Sequence, residues 1–521
     1  MAHIFFLIAL TLNGQNKGYI VGKLLDGETK DPIIYATIQI KNLAVGTISN
    51  IDGGFKIPDK YFASKDTLII SCIGYEQIEI SITTLTKTEV NKLELTPKVI
   101  ELSEAIIIGK RRKRLSARQI VQKAIDAIPN NYPQKPFSTI GYYRDYQLDE
   151  NEYLNLNEAI LEVFDSGFNK VDHETSEVRI YEYIENPSFR KNDFARQQYN
   201  YKTGKKVIDK VFLSNYGGNE FTILRIHDAI RNHQIDAYDF VNVLGSDLLR
   251  NHEFSKGEDT FLDTEPLYAI TFDKTLAGFR AYGLFYISKN DFAIHRMEYA
   301  LYDSSKRNFG KKINKHHNYY NLIFEVITEY KRFEGKMIPN YVSLQNTFEL
   351  KTPPKFKLDS LNIDLANQRF VLDFNSPPRK SDAQNLGKYR VKFKNKRIRF
   401  KKAEVINSSI MLYPEMDEVE ASVLFDELHE ISKTQDNYKN LIDIKISKME
   451  NIDGHELDKW TKKNYNQFRE FFAQKIRLNL GVTIDGLNMK KNRPLFDNIV
   501  SPKPSYLDNY WMNTPLQKTI D

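Results

Sequence analysis

The chain contains 521 residues, of which 41% are hydrophobic and 27% charged, and this composition excludes a mainly disordered or collagen-like protein. At about 150 residues per domain, the length predicts three or four domains. The 74 Lys and Arg residues nearly balance the 68 Asp and Glu residues, so the net charge of +6 gives no general attraction to nucleic acid. The single cysteine, Cys72, excludes an intrachain disulfide framework and a cysteine-rich metal centre.

Residues 1–15 have the features of a secretory signal peptide. Residues 4–12 form an apolar run that is too short to cross a bilayer as a helix, and the small polar residues Asn13 and Gly14 follow it. The segment before the run lacks the usual Lys or Arg, and the alternative is a buried first strand. We expect an exported protein without a transmembrane segment in its mature chain.

Residues 16–98 are predicted to form a small β-sandwich. Short strand-like runs alternate with turn signals, and apolar and polar residues alternate within residues 37–41 and 77–82. The turn Asp52-Gly53-Gly54 separates two of these strands, and glycine supplies the positive φ of a hairpin turn. We therefore expect this turn to fix the register of the strands beside it. Cys72 falls in a predicted strand and is expected to be an inert core thiol.

Several residues of this segment carry a resemblance to a known domain family. They agree in one register and are Gly22, Asp26, Thr29, Pro32, residues 36–38, Gly46, Thr47, residues 52–55, Leu68, Ser71, Gly74 and Tyr75. The pattern resembles the carboxypeptidase-regulatory-like domain, which implies a seven-stranded, transthyretin-like sandwich without its own catalytic activity. This domain commonly precedes TonB-dependent outer-membrane receptors, so the resemblance implies a place in the gram-negative cell envelope. The rest of the chain departs from the receptor pattern, since neither plug nor barrel follows.

A basic linker is predicted at residues 99–117, and a helix follows it. Residues 110–114 are all Lys or Arg, and their mutual repulsion favours an extended linker. The helix is predicted to begin after Ser116, a good N-cap residue, and to end before Pro129.

Residues 118–376 are predicted to form an α+β domain around a large curved antiparallel sheet. Strand-like runs extend from residue 138 to residue 350, and the last five, after Pro266, have the spacing of a meander. Residues 221–230 and 237–249 have helical periodicity and would cover one sheet face. The strand rhythm loosely resembles the half-barrel lipid carriers of the lipoprotein-localisation class. The inward aromatic side chains would fill a core, or line a ligand cavity if the helices left the sheet open.

Residues 377–414 form a basic strand region. Between Lys388 and Lys402 there are nine Lys or Arg residues and no acid, and the cations alternate with apolar residues. This alternation predicts a strand with one charged face, and its shift at Asn395 and Lys396 predicts a bulge. Anionic lipid head groups or an envelope protein would be the partners; the alternative is a solubilising edge strand. The candidate anion-binding residues are Lys388, Arg390, Lys392, Lys394, Arg397, Arg399 and Lys401.

The end of the chain is predicted to be helical over residues 415–491, followed by a proline-rich tail over residues 492–521. Apolar residues have helical spacing from Val419 to Ile431 and again from Trp460 to Ile476. The expected fold class is therefore multidomain: an all-β seven-stranded sandwich, an α+β middle domain and a mainly helical C-terminal region.

No motif in the sequence carries a specific chemistry. His295 and Glu298 have the H-x-x-E spacing of a possible metal site. They fall in a predicted strand, however, where residues three positions apart point to opposite faces. Residues 429–433 resemble the zinc-binding helix motif H-E-x-x-H. Lys433 occupies the position of the second histidine, however, and a lysine cation cannot bind zinc. Phosphate-loop, nucleophile-elbow and dinucleotide motifs are absent from the sequence. We predict no metal and no cofactor.

These patterns predict an exported, non-catalytic envelope protein with a binding or assembly role at the outer membrane, mediated by the sandwich and the sheet domain. One alternative is a carrier of a lipid or hydrophobic ligand within the middle sheet. A second alternative is a hydrolase, because dispersed carboxylates leave no local motif. Nucleic acid is not an expected partner.

Overall fold

The structure is a computed structural model that describes residues 18–43, 45–98, 115–232, 248–308, 310–311, 319–434, 441–481 and 486–516. The predicted signal segment and the basic run at residues 110–114 lie outside these ranges. The chain divides into two compact units, Met1–Glu349 with Asn464–Asp521, and Leu350–Lys463. Among the described helices, none combines the length and apolar composition of a membrane span.

The sandwich of the first unit contains seven strands in two sheets. One sheet has the order β4-β1-β7, and the other has the order β3-β2-β5-β6. Ile20, Leu24, Ile38 and Ile70 are fully buried in the shared core. The elements are β1 (Tyr19–Asp26), β2 (Thr37–Ile40), β3 (Gly46–Ile48), β4 (Gly54–Pro58), α1 (Lys60–Ala63), β5 (Thr67–Ser71), β6 (Ile78–Ser81) and β7 (Asn91–Leu95).

The turn at Asp52-Gly53-Gly54 exists, but the expectation that it pairs its two flanking strands is wrong. Strand β3 pairs with β2, whereas β4 pairs with β1 in the opposite sheet. Gly53 has a φ of 76°, and a Cβ atom there would lie 2.5 Å from the carbonyl oxygen of Leu24. Asp52 accepts a hydrogen bond of 2.9 Å from the Gly54 amide. The turn therefore carries the chain from one sheet to the other.

A twelve-stranded sheet makes up most of the first unit. Its main order is β10-β9-β8-β26-β18-β17-β16-β15-β14-β12, with β11 beside β18 and β13 beside β14. The predicted meander is confirmed, because β14 to β18 are successive neighbours. The strands are β8 (Phe137–Asp149), β9 (Glu152–Asp165), β10 (Glu177–Glu185), β11 (Lys206–Val207), β12 (Glu253–Lys256), β13 (Thr260–Leu262), β14 (Glu265–Leu276), β15 (Phe279–Ser288), β16 (Ile294–Asp303), β17 (Leu322–Phe333), β18 (Lys336–Thr352) and β26 (Thr461–Leu478).

The helices of this unit are short. The predicted helix after Ser116 is confirmed: the Ser116 side chain accepts from the Gln119 amide, and the Gln119 side chain accepts from the Ser116 amide. Of the helix predicted at residues 221–230, residues 221–226 are helical. Of the helix predicted at residues 237–249, residues 237–247 lie outside the described residues, and residues 248 and 249 begin a short helix. The helices are α2 (Ala117–Asp126), α3 (Ile128–Asn131), α4 (Asp172–Thr175), α5 (Asp193–Arg196), α6 (Glu220–Ile226) and α7 (Leu248–Asn251).

The predicted fold class is wrong beyond the sandwich. Strands predominate over helices in the described residues, the middle region is a large sheet with short helices and not an α+β domain, and the end of the chain is not mainly helical. The residues from Trp460 to Ile476 lie in or beside strand β26, which pairs with β8 in the middle of the large sheet. Both faces of β26 are buried: Phe468 stacks on Tyr146 at 5.0 Å between ring centroids, and Phe471 contacts Phe221 on the other face at 5.3 Å. Apolar residues occupy both faces, and the pairing register shifts near Ala473, so apolar and polar residues do not alternate as in a strand with one buried face. The resulting spacing of the apolar residues resembles that of a helix.

The sandwich, the large sheet and the C-terminal segment, residues 486–516, share a core. Tyr142, Ile160 and Trp511 belong to the same buried cluster as the sandwich residues. Asn513 connects the parts: its side chain accepts from the Lys56 amide at 2.9 Å and donates to the Ile48 carbonyl at 2.8 Å, while its carbonyl accepts from Arg144 at 3.1 Å. The sandwich is therefore an integral part of the first unit.

The second unit contains two small sheets, β19-β20-β24-β23 and β22-β21-β25, and one long helix. Phe425 and Leu428 of the helix are buried in a core with Phe370 and Val391. The elements are β19 (Leu358–Asp364), β20 (Arg369–Phe374), α8 (Lys380–Ala383), β21 (Tyr389–Phe393), β22 (Lys396–Ile398), β23 (Phe400–Ile406), β24 (Ser409–Pro414), α9 (Glu418–Thr434) and β25 (Ile442–Ile446).

Candidate functional site

A cleft of about 300 Å³ opens at one end of the large sheet in the first unit, and we name it the Asp145 cleft. Its floor is formed by strands β8, β9 and β10, and its walls come from α5, the start of α6 and the C-terminal segment. The lining residues are Asp145, Gln147, Asn157, Tyr183, Asp193, Arg196, Gln197, Gln198, Gly218, Glu220, Pro494, Leu495 and Phe496.

Asp145 lies on β8 and carries the most perturbed carboxyl group of the cleft. It accepts hydrogen bonds from Asn157 Nδ2 at 2.9 Å and from the Tyr143 hydroxyl at 3.1 Å, and both donors are neutral. Burial, and secondly the charge of Glu220, raise the pKa of Asp145 to about 7. Near neutral pH this group is therefore present both as an acid that donates and as a carboxylate that accepts.

Glu220 is held at the cleft by the N-terminus of α6. The Asn219 side chain caps this helix by accepting from the Thr222 amide at 2.8 Å, and its Nδ2 donates to the Arg493 carbonyl at 2.7 Å. Glu220 forms an ion pair with the buried Arg469 of β26. A negative side chain in the first turn of a helix is also favoured by the helix dipole. The cap and the ion pair together fix the position of this second carboxylate.

The polar floor is held rigid by hydrogen bonds between neutral side chains. Gln147 Nε2 donates to Gln467 Oε1 at 2.7 Å, and Gln147 Oε1 accepts from Asn155 Nδ2 at 2.7 Å. The Tyr183 hydroxyl donates to Asn157 Oδ1 at 3.2 Å. These contacts orient planar amide and phenol groups on regular strands, as a preorganised binding site requires.

One wall of the cleft is apolar and belongs to the C-terminal segment. Pro494, Leu495 and Phe496 lie there, and half of the Phe496 surface is exposed. The guanidinium of Arg196 lies 5.0 Å from the Phe496 ring centroid and also pairs with Glu185. The cleft thus combines a polar floor with an apolar wall, which suits a ligand that has one polar and one apolar side.

The structure corrects the predicted shape of the basic strand region. Lys394 and Asn395 both have positive φ, and Phe393 pairs with Lys396, so β21 and β22 form a hairpin with a two-residue turn and not a bulged strand. Lys392 faces Arg397 across this hairpin, and Arg390 faces Lys445 of β25.

The predicted anion-binding residues divide into two groups. Lys388 lies 2.7 Å from Asp382 Oδ1, and Lys394 lies 2.6 Å from Glu427 Oε1, so both already have acidic partners. Arg390, Arg397, Arg399 and Lys401 are exposed, and Lys392 is half-buried. With Lys445, which the sequence pattern did not include, Arg390, Lys392 and Arg397 form a basic patch on adjacent strands, with one acid, Asp443, opposite Lys392.

The other sequence candidates have structural partners. His295 and Glu298 lie on strand β16, where His295 Nε2 is 3.1 Å from Glu265 Oε2 and Glu298 pairs with Arg296. Lys433 of α9 pairs with Glu430. Burial raises the pKa of the Cys72 thiol to about 12, which keeps it protonated and unreactive. Among the described residues, no group of three or more His, Cys, Asp or Glu could hold a metal ion.

The sequence did not point to the Asp145 cleft. Its polar residues lie scattered over strands, a short helix and the C-terminal segment, and no local spacing connects them. One signal was available: Asp145, Gln147, Asn155 and Asn157 are polar residues with poor strand propensity inside two strand-like runs, and such a local conflict often marks a functional position.

Comparison with known proteins identifies the first domain. No curated protein matches the chain. Among solved structures, a LolA superfamily protein from Nitrosomonas europaea aligns with 15% sequence identity and a TM-score of 0.20, over 45% of this chain and 86% of that chain. A TM-score this low carries no argument about fold or ligand. Residues 20–107 match the family model of the CarboxypepD_reg-like domain, and the described part of this range, residues 20–43 and 45–98, forms the predicted β-sandwich.

Proposed function

We propose that the protein is an exported, non-catalytic protein of the gram-negative cell envelope, and that it binds a ligand in the Asp145 cleft. The observation that carries the binding role is the arrangement of the cleft. Its carboxyl, amide and phenol groups are oriented by mutual hydrogen bonds before any ligand arrives, and they face an apolar wall. Preorganisation of this kind lowers the entropic cost of binding.

The CarboxypepD_reg-like domain supports the envelope part of the proposal, because the resemblance of residues 16–98 implies that setting. Its shared core with the large sheet supports an assembly role in which sandwich and cleft act as one body. The predicted anionic partners would bind separately, at the basic patch of the second unit. A receptor for the sandwich itself would have to recognise its outer strands.

The experiment has two arms. Fractionation of the native protein should place it in the periplasm or with the outer membrane; recovery in the cytoplasm would contradict the envelope assignment. A thermal-shift screen of the purified chain against sugars, amines, carboxylates and fatty acids should find at least one class that raises the melting temperature. This stabilisation should be lost in Asp145→Asn or Phe496→Ala. A screen without any cleft-dependent stabilisation would contradict the binding role.

A hydrolase is the second candidate, and one observation favours it. Asp145 and Glu220 converge in the cleft, and the pKa of Asp145, raised to about 7, is suitable for a general acid. Turnover of the bound ligand by the wild-type chain, lost in Asp145→Asn while binding persists, would establish this candidate in place of the non-catalytic one.

The lipid-carrier alternative receives less support. An apolar cleft of about 210 Å³ lies beside Val211, Phe212 and Leu344 in the first unit. This volume is below the range of about 300–1,000 Å³ that is typical of ligand sites.

A further inference from the structure

We infer that the ligand of the Asp145 cleft is a saccharide of one or two pyranose rings, with its hydroxyl groups toward Asp145 and Asn157 and a C–H face against Phe496. This inference rests on the proposed function, since it assumes that the cleft binds a ligand, and it adds the chemical class. Three features of the cleft carry it: the kind of polar group on the floor, the apolar wall and the distribution of charge.

The floor offers groups that both donate and accept. A sugar hydroxyl donates one hydrogen bond and accepts others, so it is best matched by carboxyl, amide and phenol groups. Asp145 Oδ1 accepts one hydrogen bond from Asn157, and Asp145 Oδ2 accepts one from Tyr143. Each carboxylate oxygen can accept a further hydrogen bond from a ligand. Because the hydroxyl can reverse its role, it pairs with Asp145 in either protonation state.

The wall offers a flat apolar surface. A pyranose ring has a face of C–H groups, which packs on an aromatic ring while the hydroxyls at its edge remain free for polar contacts. Phe496 is 50% exposed, next to Leu495 and Pro494, and Arg196 holds its ring in place. An exposed phenyl group opposite a polar floor fits the two-sided chemistry of such a ring.

The charges of the cleft disfavour ionic ligands. An anion would meet Asp193 and Glu220 in the walls of the cleft. A cation at the aromatic wall would be repelled by the Arg196 guanidinium, which lies 5.0 Å from the Phe496 ring centroid, and a cation at Glu220 would compete with Arg469. A neutral ligand avoids both conflicts. The volume of about 300 Å³ lies at the lower end of the range of ligand sites, which limits the ligand to one or two rings.

The test is titration calorimetry of the full chain with glucose, galactose, N-acetylglucosamine and their β-1,4-linked disaccharides. We expect at least one to bind with a dissociation constant of about 1 mM or lower. Phe496→Ala should weaken that binding about tenfold, which corresponds to the loss of about 1.4 kcal/mol from the aromatic contact. Tyr282→Ala is the matched control: Tyr282 is 40% exposed, has the Arg280 guanidinium over its ring, lies outside the Asp145 cleft, and should leave the affinity unchanged.

Three results would overturn the saccharide inference, and they can be told apart. If no sugar binds, but an amine such as spermidine or a dicarboxylate such as succinate binds in a Phe496-dependent way, the cleft is a binding site for another class. If no class binds, the proposed function fails as well. Equal weakening by Phe496→Ala and Tyr282→Ala would place the sugar outside the cleft and also contradict the inference. Unchanged melting temperatures of both variants establish that the chains are folded.

Discussion

At the scale of single residues, Asp145 is the position where the cleft departs most from ordinary protein chemistry. Its carboxyl group keeps its proton to a higher pH than an exposed aspartate, because burial disfavours the charged form and the charge of Glu220 adds repulsion. The neighbouring polar side chains orient the group without neutralising it. Asp145 is therefore sensitive to pH in the range where most aspartates are fully ionised.

This sensitivity predicts how the stability of the protein depends on pH. The pKa of Asp145 is about 7 in the folded chain and 3.8 in its ordinary state, so the folded chain binds the proton more tightly. The resulting stabilisation is complete below about pH 4 and is lost as the pH rises through about 7. We expect the melting temperature of Asp145→Asn to fall less between pH 5 and pH 8 than that of the wild type, as followed by circular dichroism.

The control for this prediction is Asp193→Asn, which removes an exposed carboxyl group from the same cleft. It should keep the wild-type dependence on pH. A pH dependence that is equal in all three proteins would contradict the raised pKa of Asp145.

At the scale of elements, the turn between β3 and β4 decides how the two sheets of the sandwich are connected. We expect Gly53→Val to lower the melting temperature, because valine is strained at a φ of 76° and its Cβ would overlap the Leu24 carbonyl. The cost should be about 1–3 kcal/mol, measured by urea denaturation. Gly481→Val serves as control, since a Cβ at Gly481 meets no atom within 4 Å. Equal stabilities of the two variants would argue against the strained turn.

The hairpin of the second unit gives a separate prediction for the basic patch. Serine at Arg390, Lys392, Arg397 and Lys445 should weaken sedimentation with vesicles of anionic phospholipid, because these cations lie on adjacent strands. Binding should also weaken with added salt in the wild type. Unchanged sedimentation would leave the patch as a solubilising surface. The control changes four exposed lysines of the first unit to serine: Lys65, Lys92, Lys202 and Lys205.

Strand β26 and this hairpin show where sequence patterns mislead at the scale of elements. The alternation in β21 correctly indicated a strand, because one face is buried and the other exposed. In β26 both faces carry buried residues, so apolar and polar residues do not alternate, and the periodicity of the apolar residues predicted a helix. At Lys394 and Asn395 a shift in alternation fits a bulge and a tight turn equally well, and pairing with partner strands decides between them.

At the scale of the whole molecule, the first unit is held together by its C-terminal segment. Trp511 is buried between sandwich and sheet, and its indole donates to the Lys56 carbonyl at 2.8 Å. We expect Trp511→Ala to destabilise the protein by about 3–5 kcal/mol, since it leaves a large cavity. The chain has two tryptophans, and Trp460 is 44% exposed, so Trp460→Ala is a matched control with a small expected effect. Denaturant unfolding curves of similar midpoint for both variants would contradict this role of the segment.

Four features could be predicted from local patterns of turns, caps and one-sided strands: the β-sandwich, its family, the meander of β14 to β18 and the capped helix after Ser116. Long-range packing was needed to show that β26 joins the large sheet and that sandwich, sheet and C-terminal segment share one core. The same holds for the Asp145 cleft. Asp145, Glu220 and Phe496 are far apart in the chain, and burial and long-range pairing, which bring them together, are properties of the fold and not of any local segment.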